Sequence, residues 1–154
     1  MKQTPISVAM AILYQNRHFL MQLRDDKDYI PYSGQWGLFG GHLETGESPS
    51  TGLIREIKEE INYFIAEPIF FRCYKDNKAY RHIFFASLDI NIKSLKLNEG
   101  WDLDLVSLSS VRLGRHYSHE AGEERFIGDI HRRILLDFDI FARNNILTFD
   151  HKSY

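Results

Sequence analysis

The sequence predicts an α/β protein, and three observations carry that prediction. An apolar run, SVAMAILY, opens the chain and turns straight back into a second apolar run, as a β-hairpin does. A stretch bounded by Ser48 and Asn62 repeats its apolar residues at helical spacing, and so does the last third of the chain. At 154 residues, 44% hydrophobic and 14% aromatic, the chain is expected to form a single domain, residues 1–154, around a substantial core.

Taken in order, the first strand is expected from Ile6 to Tyr14, and Gln15, Asn16 and Arg17 turn it into a second, His18 to Arg24. Their nearly continuous apolar character implies burial on both faces. Asp25, Asp26, Lys27 and Asp28 start a loop that runs through Tyr29 to Gln35 with Pro31 and Gly34. Trp36 to Phe39 is a short strand that leads into Gly40 and Gly41, where the missing side chains let backbone approach a ligand closely. Ser48 then caps a helix, Pro49 fits its first turn, and Asn62 can end it in a left-handed conformation. Leu53, Ile57, Ile61 and Phe64 form its apolar arc. Ala66–Tyr74 and Ala79–Ile90 read as two strands around the turn Lys75–Lys78. Between Ser118 and Asn144 the residues Phe126, Ile127, Ile130, Ile134, Leu135, Phe138 and Phe141 predict one long amphipathic helix, weakened slightly by Gly128. Glu120, Glu123 and Glu124 are assigned to its start. Leu147–Tyr154 forms a small strand or a tail, and no repeat or linker divides the chain.

Glu56, Glu59 and Glu60 share one side of the central helix, because spacings of three and four residues return to the same face. Three like charges there call for compensation, and a divalent cation that prefers oxygen ligands supplies it; a solvated acidic face is the plainer alternative. With 19 basic against 21 acidic residues and a net charge of −2, the chain lacks the basic surface of a nucleic-acid polymer binder. Cys73, the single cysteine, excludes an internal disulfide and reads as a half-buried strand residue. His116, His119 and His131 are too irregularly spaced to argue for a metal site. No apolar run reaches membrane-spanning length, and MKQTPISV lacks the layout of an export signal, so no membrane partner is expected and the cytoplasm is the default location.

Gly41, Glu47, Arg55, Glu56, Ile57, Lys58, Glu59, Glu60, Ile61, Asn62 and Tyr63 stand at the offsets of the Nudix box, and the chain resembles the Nudix hydrolase family. One position departs from the pattern: Asn62 replaces the last glycine, and asparagine tolerates a left-handed backbone better than most residues. The resemblance implies an α/β/α sandwich with a mixed, partly curled sheet, the box helix on one side and the C-terminal helix on the other. It implies hydrolysis of a diphosphate linkage with Mg2+, for which Mn2+ can substitute, held by the Gly40 carbonyl, Glu56, Glu59, Glu60 and Glu99. Glu56, Glu59 and Glu60 are the catalytic candidates; Glu47 and Arg55 would brace loop against helix. Glu44 either joins that brace or is a solvated loop carboxylate. Glu99-Gly100 matches a glutamate-glycine pair that precedes a short strand, here Asp102–Val106, and a small helix, Ser107–Val111. From such a loop Glu99 would reach the metal across the cleft from the helix.

Substrate contacts are read more loosely. Arg24, Tyr32, His42 and Arg81 are the candidates, Arg81 because Arg81-His82-Ile83 is similar to a run in bacterial enzymes that cleave oxidised dGTP. For Arg24, Tyr32 and Arg81 the residues themselves read equally as ordinary loop and strand-end groups. Oxidised dGTP or another nucleoside triphosphate is the first substrate expected, with ADP-ribose or a nucleotide sugar as the alternative. A catalytically silent binding module is a third reading, which loss of box glutamates would favour; here all are present. The protein is expected to act as a monomer or homodimer.

Overall fold

The computed structural model describes residues 3–145. Nine strands and three helices follow in the order β1 (Ile6–Gln15), β2 (His18–Leu23), β3 (Trp36–Gly37), β4 (Phe39–His42), α1 (Pro49–Ile61), β5 (Ile69–Lys75), β6 (Ala79–Ser87), β7 (Asp102–Ser107), α2 (Leu108–Leu113), β8 (Arg115–Ser118), β9 (Glu123–Phe126) and α3 (Asp129–Asn144). Seven strands form one mixed sheet with the path β3-β2-β1-β6-β5, in which β1 and β6 run parallel and the other pairs antiparallel. This pairing makes the sheet mixed. Helices cover both faces, giving the α/β/α arrangement.

The site is positioned by a fork. β1 and β2 pair only at the hairpin end, Tyr14 with Phe19 and Gln15 with His18, beside a turn in which Asn16 and Arg17 both have positive φ. Further along the two strands separate, and the segment Trp36–His42 enters between them. Its first part pairs with β2, Trp36 opposite Leu23 and Gly37 opposite Gln22; its second pairs with β1, from Phe39 opposite Ala11 to His42 opposite Val8. The short strand expected over Trp36–Phe39 is therefore two strands that change partner at Leu38.

Strand alternation sorts the core into two layers. Ala9, Ala11 and Leu13 of β1 face α1 with Leu20, Phe39, Leu53, Ile57 and Ile61. Met10 and Ile12 face α3 with Met21, Trp36, Ile83, Ile134, Leu135 and Phe138. Both faces of β1 and β2 are buried, as their continuous apolar character implied. Ser48 caps α1 by accepting the Thr51 N–H, and Asn62 ends it at φ 54°, ψ 37°, the left-handed conformation a glycine would otherwise supply. Phe64 lies beyond that cap and is largely exposed, so it does not belong to the apolar arc.

One element differs from the sequence reading. Residues from Ser118 onward do not begin a long helix: β8 and β9 form a two-stranded hairpin, Arg115 opposite Phe126 to Ser118 opposite Glu123, and α3 starts only at Asp129. Gly122, at φ +71°, turns the hairpin, and Gly128 is the residue before the helix rather than a weak point within it. Phe126 imitated helical spacing, yet it is 70% exposed on the hairpin while Ile127 alone turns inward. Leu147–Tyr154 lies outside the described residues. No helix among the described residues is long and apolar enough to cross a membrane.

Candidate active site

The fork delivers Gly40 and Gly41 to the side of α1. Gly40 has φ +147°, and any Cβ there would collide with the Ala9 carbonyl; a Cβ on Gly41 would strike the Glu56 carboxylate. Both glycines are thus required by close approach. The Gly40 N–H donates to Glu60 Oε2 at 3.3 Å, and Glu60 is 6% exposed. Burial, followed by the charges of Glu56 and Glu99, pushes the Glu60 carboxyl up to about 8, against the opposing pull of the Gly40 N–H and Arg24. Glu59 points outward, with 60% of its side chain exposed and Arg55 at 3.4 Å. Among the described residues no three acidic, histidine or cysteine side chains are gathered into a ready metal cluster.

Arg55 organises the neighbouring charges. Its Nε and Nη2 donate to the two oxygens of Glu47 at 2.8 and 2.9 Å, Nη1 donates to Glu56 at 3.0 Å, and Nη2 donates to the His42 carbonyl at 3.1 Å. The fork of donors holds the Glu47 carboxyl down at about 2. Glu44 stands 3.8 Å from Arg55 and is mostly exposed, while its own N–H donates to Glu47. The His42 side chain is exposed; its contribution here is its backbone oxygen.

Glu99 arrives by a loop that docks on α1 itself. Asn98 N–H donates to the Glu60 carbonyl and Asn98 Nδ2 to the Glu59 carbonyl, both at 2.8 Å. Gly100, at φ +105°, passes the chain to Trp101, whose N–H donates to Leu23 at the tip of β2. The exposed Glu99 side chain is thereby kept close enough for its charge to act on Glu60. Glu123 and Glu124, the other acidic candidates near the last helix, sit on β9 and pair with Arg125 and Arg115. Glu120 lies in the hairpin turn.

Arg24 and Tyr32, from the loop after β2, and Arg81 of β6 act on one residue that the sequence reading weighed only as a metal ligand and set aside, His131. Arg24 has no ion-pair partner among the described residues, and its Nε is buried without a hydrogen bond. Its charge acts on Glu60 on one side and His131 on the other. Arg81 is buried and pairs with Asp76 at 2.8 Å. Tyr32, with the left-handed φ of 56°, sets its ring edge-on to His131 at 5.2 Å. On the outer side, Tyr32 and Gln35 line an open pocket of about 620 Å³ with Leu113, Phe126, Asp129 and Arg132, none of them a box residue.

The sequence pattern of the NUDIX domain family matches residues 4–127. The chain belongs to the Nudix family. The match classes it as a Nudix-type pyrophosphohydrolase. Solved structures agree on the Nudix fold at low identity. The MutT protein of Methanosarcina mazei superposes with a TM-score of 0.66 at 23% identity, over 94% of this chain and 98% of that one. A Nudix hydrolase from Nitrosomonas europaea gives 0.66 at 19%, over 94% and 75%. The Nudix domain of Shewanella oneidensis NrtR, solved with ADP-ribose, gives 0.66 at 15%, over 94% and 90%. No curated protein matches the chain.

A signal for His131 did exist in this Nudix sequence. It occupies the apolar arc of α3 with Ile134, Leu135 and Phe138, and a polar residue on a buried arc needs a partner. Its Nδ1 has one, the Leu38 N–H at 3.1 Å. His116, by contrast, pairs with Asp104 at 2.8 Å under the hairpin.

Proposed function

We propose that this protein hydrolyses the diphosphate linkage of a nucleotide in a Mg2+-dependent reaction, with Mn2+ able to substitute. The observation that carries the reading is Glu60: a nearly buried carboxylate beside Glu56 and within reach of Glu99, facing a glycine pair that leaves room for nothing but backbone. A buried acidic group with two acidic neighbours is short of positive charge, and an oxygen-only donor set suits a hard cation. Gly40 through its carbonyl, Glu56, Glu59, Glu60 and Glu99 would hold it. The chemistry such a cation supplies when bound is neutralisation of the diphosphate and a lower pKa for the attacking water.

The chain's own residues do the rest. Glu47 and Arg55 brace the loop after β4 against α1, and Arg55 also holds Glu56 through Oε1. Glu56 or Glu59 would receive the proton of the water; Glu59 is exposed and its one charged contact among the described residues is Arg55 at 3.4 Å. Arg24, half-buried with its Nε left without a hydrogen bond, would take a phosphate or base oxygen, with Arg81, Tyr32 and His42 as further substrate contacts. No covalent intermediate is needed, since water attacks directly.

For the substrate, oxidised dGTP or another nucleoside triphosphate stands first, supported by the Arg81-His82-Ile83 run and by the likeness to MutT structures. ADP-ribose or a nucleotide sugar stands second, supported by the equal TM-score of the ADP-ribose-bound Nudix domain. Retention of Glu56, Glu59 and Glu60 weighs against a silent binding module. The test is a panel of nucleoside triphosphates, ADP-ribose and nucleotide sugars assayed with Mg2+, with products resolved by mass. The expected result is a nucleoside monophosphate plus pyrophosphate from a triphosphate, and loss of turnover on chelation. Full activity after exhaustive metal removal, or no cleavage of any member with metal present, overturns the reading.

A further inference from the structure

The change of strand partner at Leu38 creates a backbone problem that a side chain from α3 solves. Leu38 lies between β3, which pairs with β2, and β4, which pairs with β1, and it is 4% exposed, so water is a poor partner for its peptide. Its N–H donates to His131 Nδ1 at 3.1 Å, and its carbonyl accepts a longer contact from Gln22 Nε2 at 3.5 Å. A ring nitrogen that accepts a backbone N–H carries no proton, which fixes His131 as the neutral tautomer with hydrogen on Nε2. Burial, reinforced by the charges of Arg24 and Arg81, keeps the imidazole neutral, down to about 3. The ring is also clamped in place. A Cβ on Gly37 would come within 3.1 Å of it, one on Gly128 within 2.9 Å, and Tyr32 covers its side.

Two residues beyond Leu38, on the same extended segment, the Gly40 N–H meets Glu60. We propose that His131 is a positioning residue: by accepting the Leu38 N–H at the strand switch, it fixes how far Gly40 and Gly41 advance toward Glu60 and Glu56. In this way α3, which contributes no carboxylate, sets the geometry of a site built on α1. That the site is one for metal and diphosphate rests on the function proposed above, whereas the backbone effect does not.

His131→Leu fills comparable space but accepts no hydrogen bond; His131→Asn retains an acceptor at nearly the position of Nδ1. In metal-free protein, His131→Leu is expected to shift the Gly40 and Gly41 amide resonances and to speed exchange of the Leu38 amide at least ~10-fold beyond any change in global exchange. It should also weaken Mn2+ binding about 10-fold, the scale of outer-shell effects. His131→Asn should restore most of each quantity. Ile134→Val, a packing change on the same helix, should leave the Gly40 and Gly41 resonances in place. Equal impairment in the Leu and Asn variants would reduce His131 to core packing, and unchanged glycine resonances in His131→Leu would refute the proposal. Should His131→Leu not fold, the wild-type protein supplies the test: the Nδ1 nitrogen resonance must be that of an unprotonated ring nitrogen bonded to the Leu38 amide, and a protonated Nδ1 overturns the assignment. Absence of hydrolysis by the wild type, with the amide effects intact, would sink the proposed function and leave this inference standing.

Discussion

Acid should destabilise this protein through His131 by an amount that can be worked out. In the unfolded chain a histidine titrates near 6.5; in the fold, burial first and then Arg24 and Arg81 bring His131 down to about 3. Asp76, held low at about 2 by backbone N–H groups and Arg81, stays ionised in this range and offers no compensating change. A base whose folded pKa is depressed favours folding only while it is neutral. Its contribution is therefore complete above about pH 7 and declines as pH falls from 6.5 toward 3, where the unfolded state binds the extra proton. At pH 5 the fold has lost about 1.5 pH units of this linkage, roughly 2 kcal/mol, which for a chain of this length lowers Tm by about 4–8 °C. Glu60 acts in the opposite sense: raised to about 8, it makes the metal-free fold more stable as pH falls toward the ordinary carboxyl range. A double comparison removes it. Urea unfolding of metal-free wild type and His131→Asn at about pH 7.5 and pH 5 should show the wild type losing roughly 2 kcal/mol more than the variant. Parallel losses, within about 0.5 kcal/mol, would mean that His131 is already protonated or exposed in the fold and would refute the reasoning.

Two further outcomes separate bracing from chemistry. Glu47→Gln or Arg55→Ala should lower Tm by roughly 5 °C and reduce turnover together, because each strands a charge in the junction, whereas Glu60→Gln should keep or raise the metal-free Tm and lose at least ~100-fold in turnover; thermal melts beside initial rates decide it. Glu99→Gln should fold normally, require more Mg2+ for half-maximal rate and turn over at least ~10-fold slower, while Glu120→Gln in the hairpin turn changes neither; a Mg2+ titration of both variants is the check.

How much of this was legible in the sequence follows the range of the interactions involved. The ends of α1 were readable to the residue, because they depend on neighbours: Ser48 caps it, Pro49 opens it and Asn62 ends it left-handed; of its expected apolar arc Leu53, Ile57 and Ile61 bury together and Phe64, beyond the cap, does not. The hairpin β1–β2 was equally local. The hairpin β8–β9 was misread because Phe126, Ile127 and Ile130 satisfy helical spacing by coincidence, and periodicity counts apolar residues without knowing which are exposed. The glycines were the better guide there. Gly122 and Gly128 mark the turn of the hairpin and the start of α3, two positions that would each weaken one continuous helix from Ser118.

His131 illustrates a different kind of illegibility. Nothing near it in the chain explains it: its partner, the Leu38 N–H, needs an acceptor only because β3 and β4 pair with different strands of an opened hairpin. That need arises from topology, and so does the gathering of Arg24 and Tyr32, from the loop after β2, and Arg81, from β6, around the same ring. The carboxylates of α1 could be named from their spacing, yet the fold treats them differently: Glu60 is buried against Gly40 while Glu59 points outward. The groups proposed to meet the rest of the substrate come from the loop after β2, the end of β4 and the start of β6, and only the folded sheet makes them neighbours of His131 in α3. On the proposed function this division has a physical consequence: changes in those loops and edges would alter what is held beside the diphosphate without touching the helix proposed to hold the diphosphate itself. If Glu56, Glu59 and Glu60 act as proposed on the part that every such nucleotide shares, variants of Arg24, Tyr32 and Arg81 should change which nucleotide is cleaved, whereas variants of the three glutamates should lower turnover of all alike.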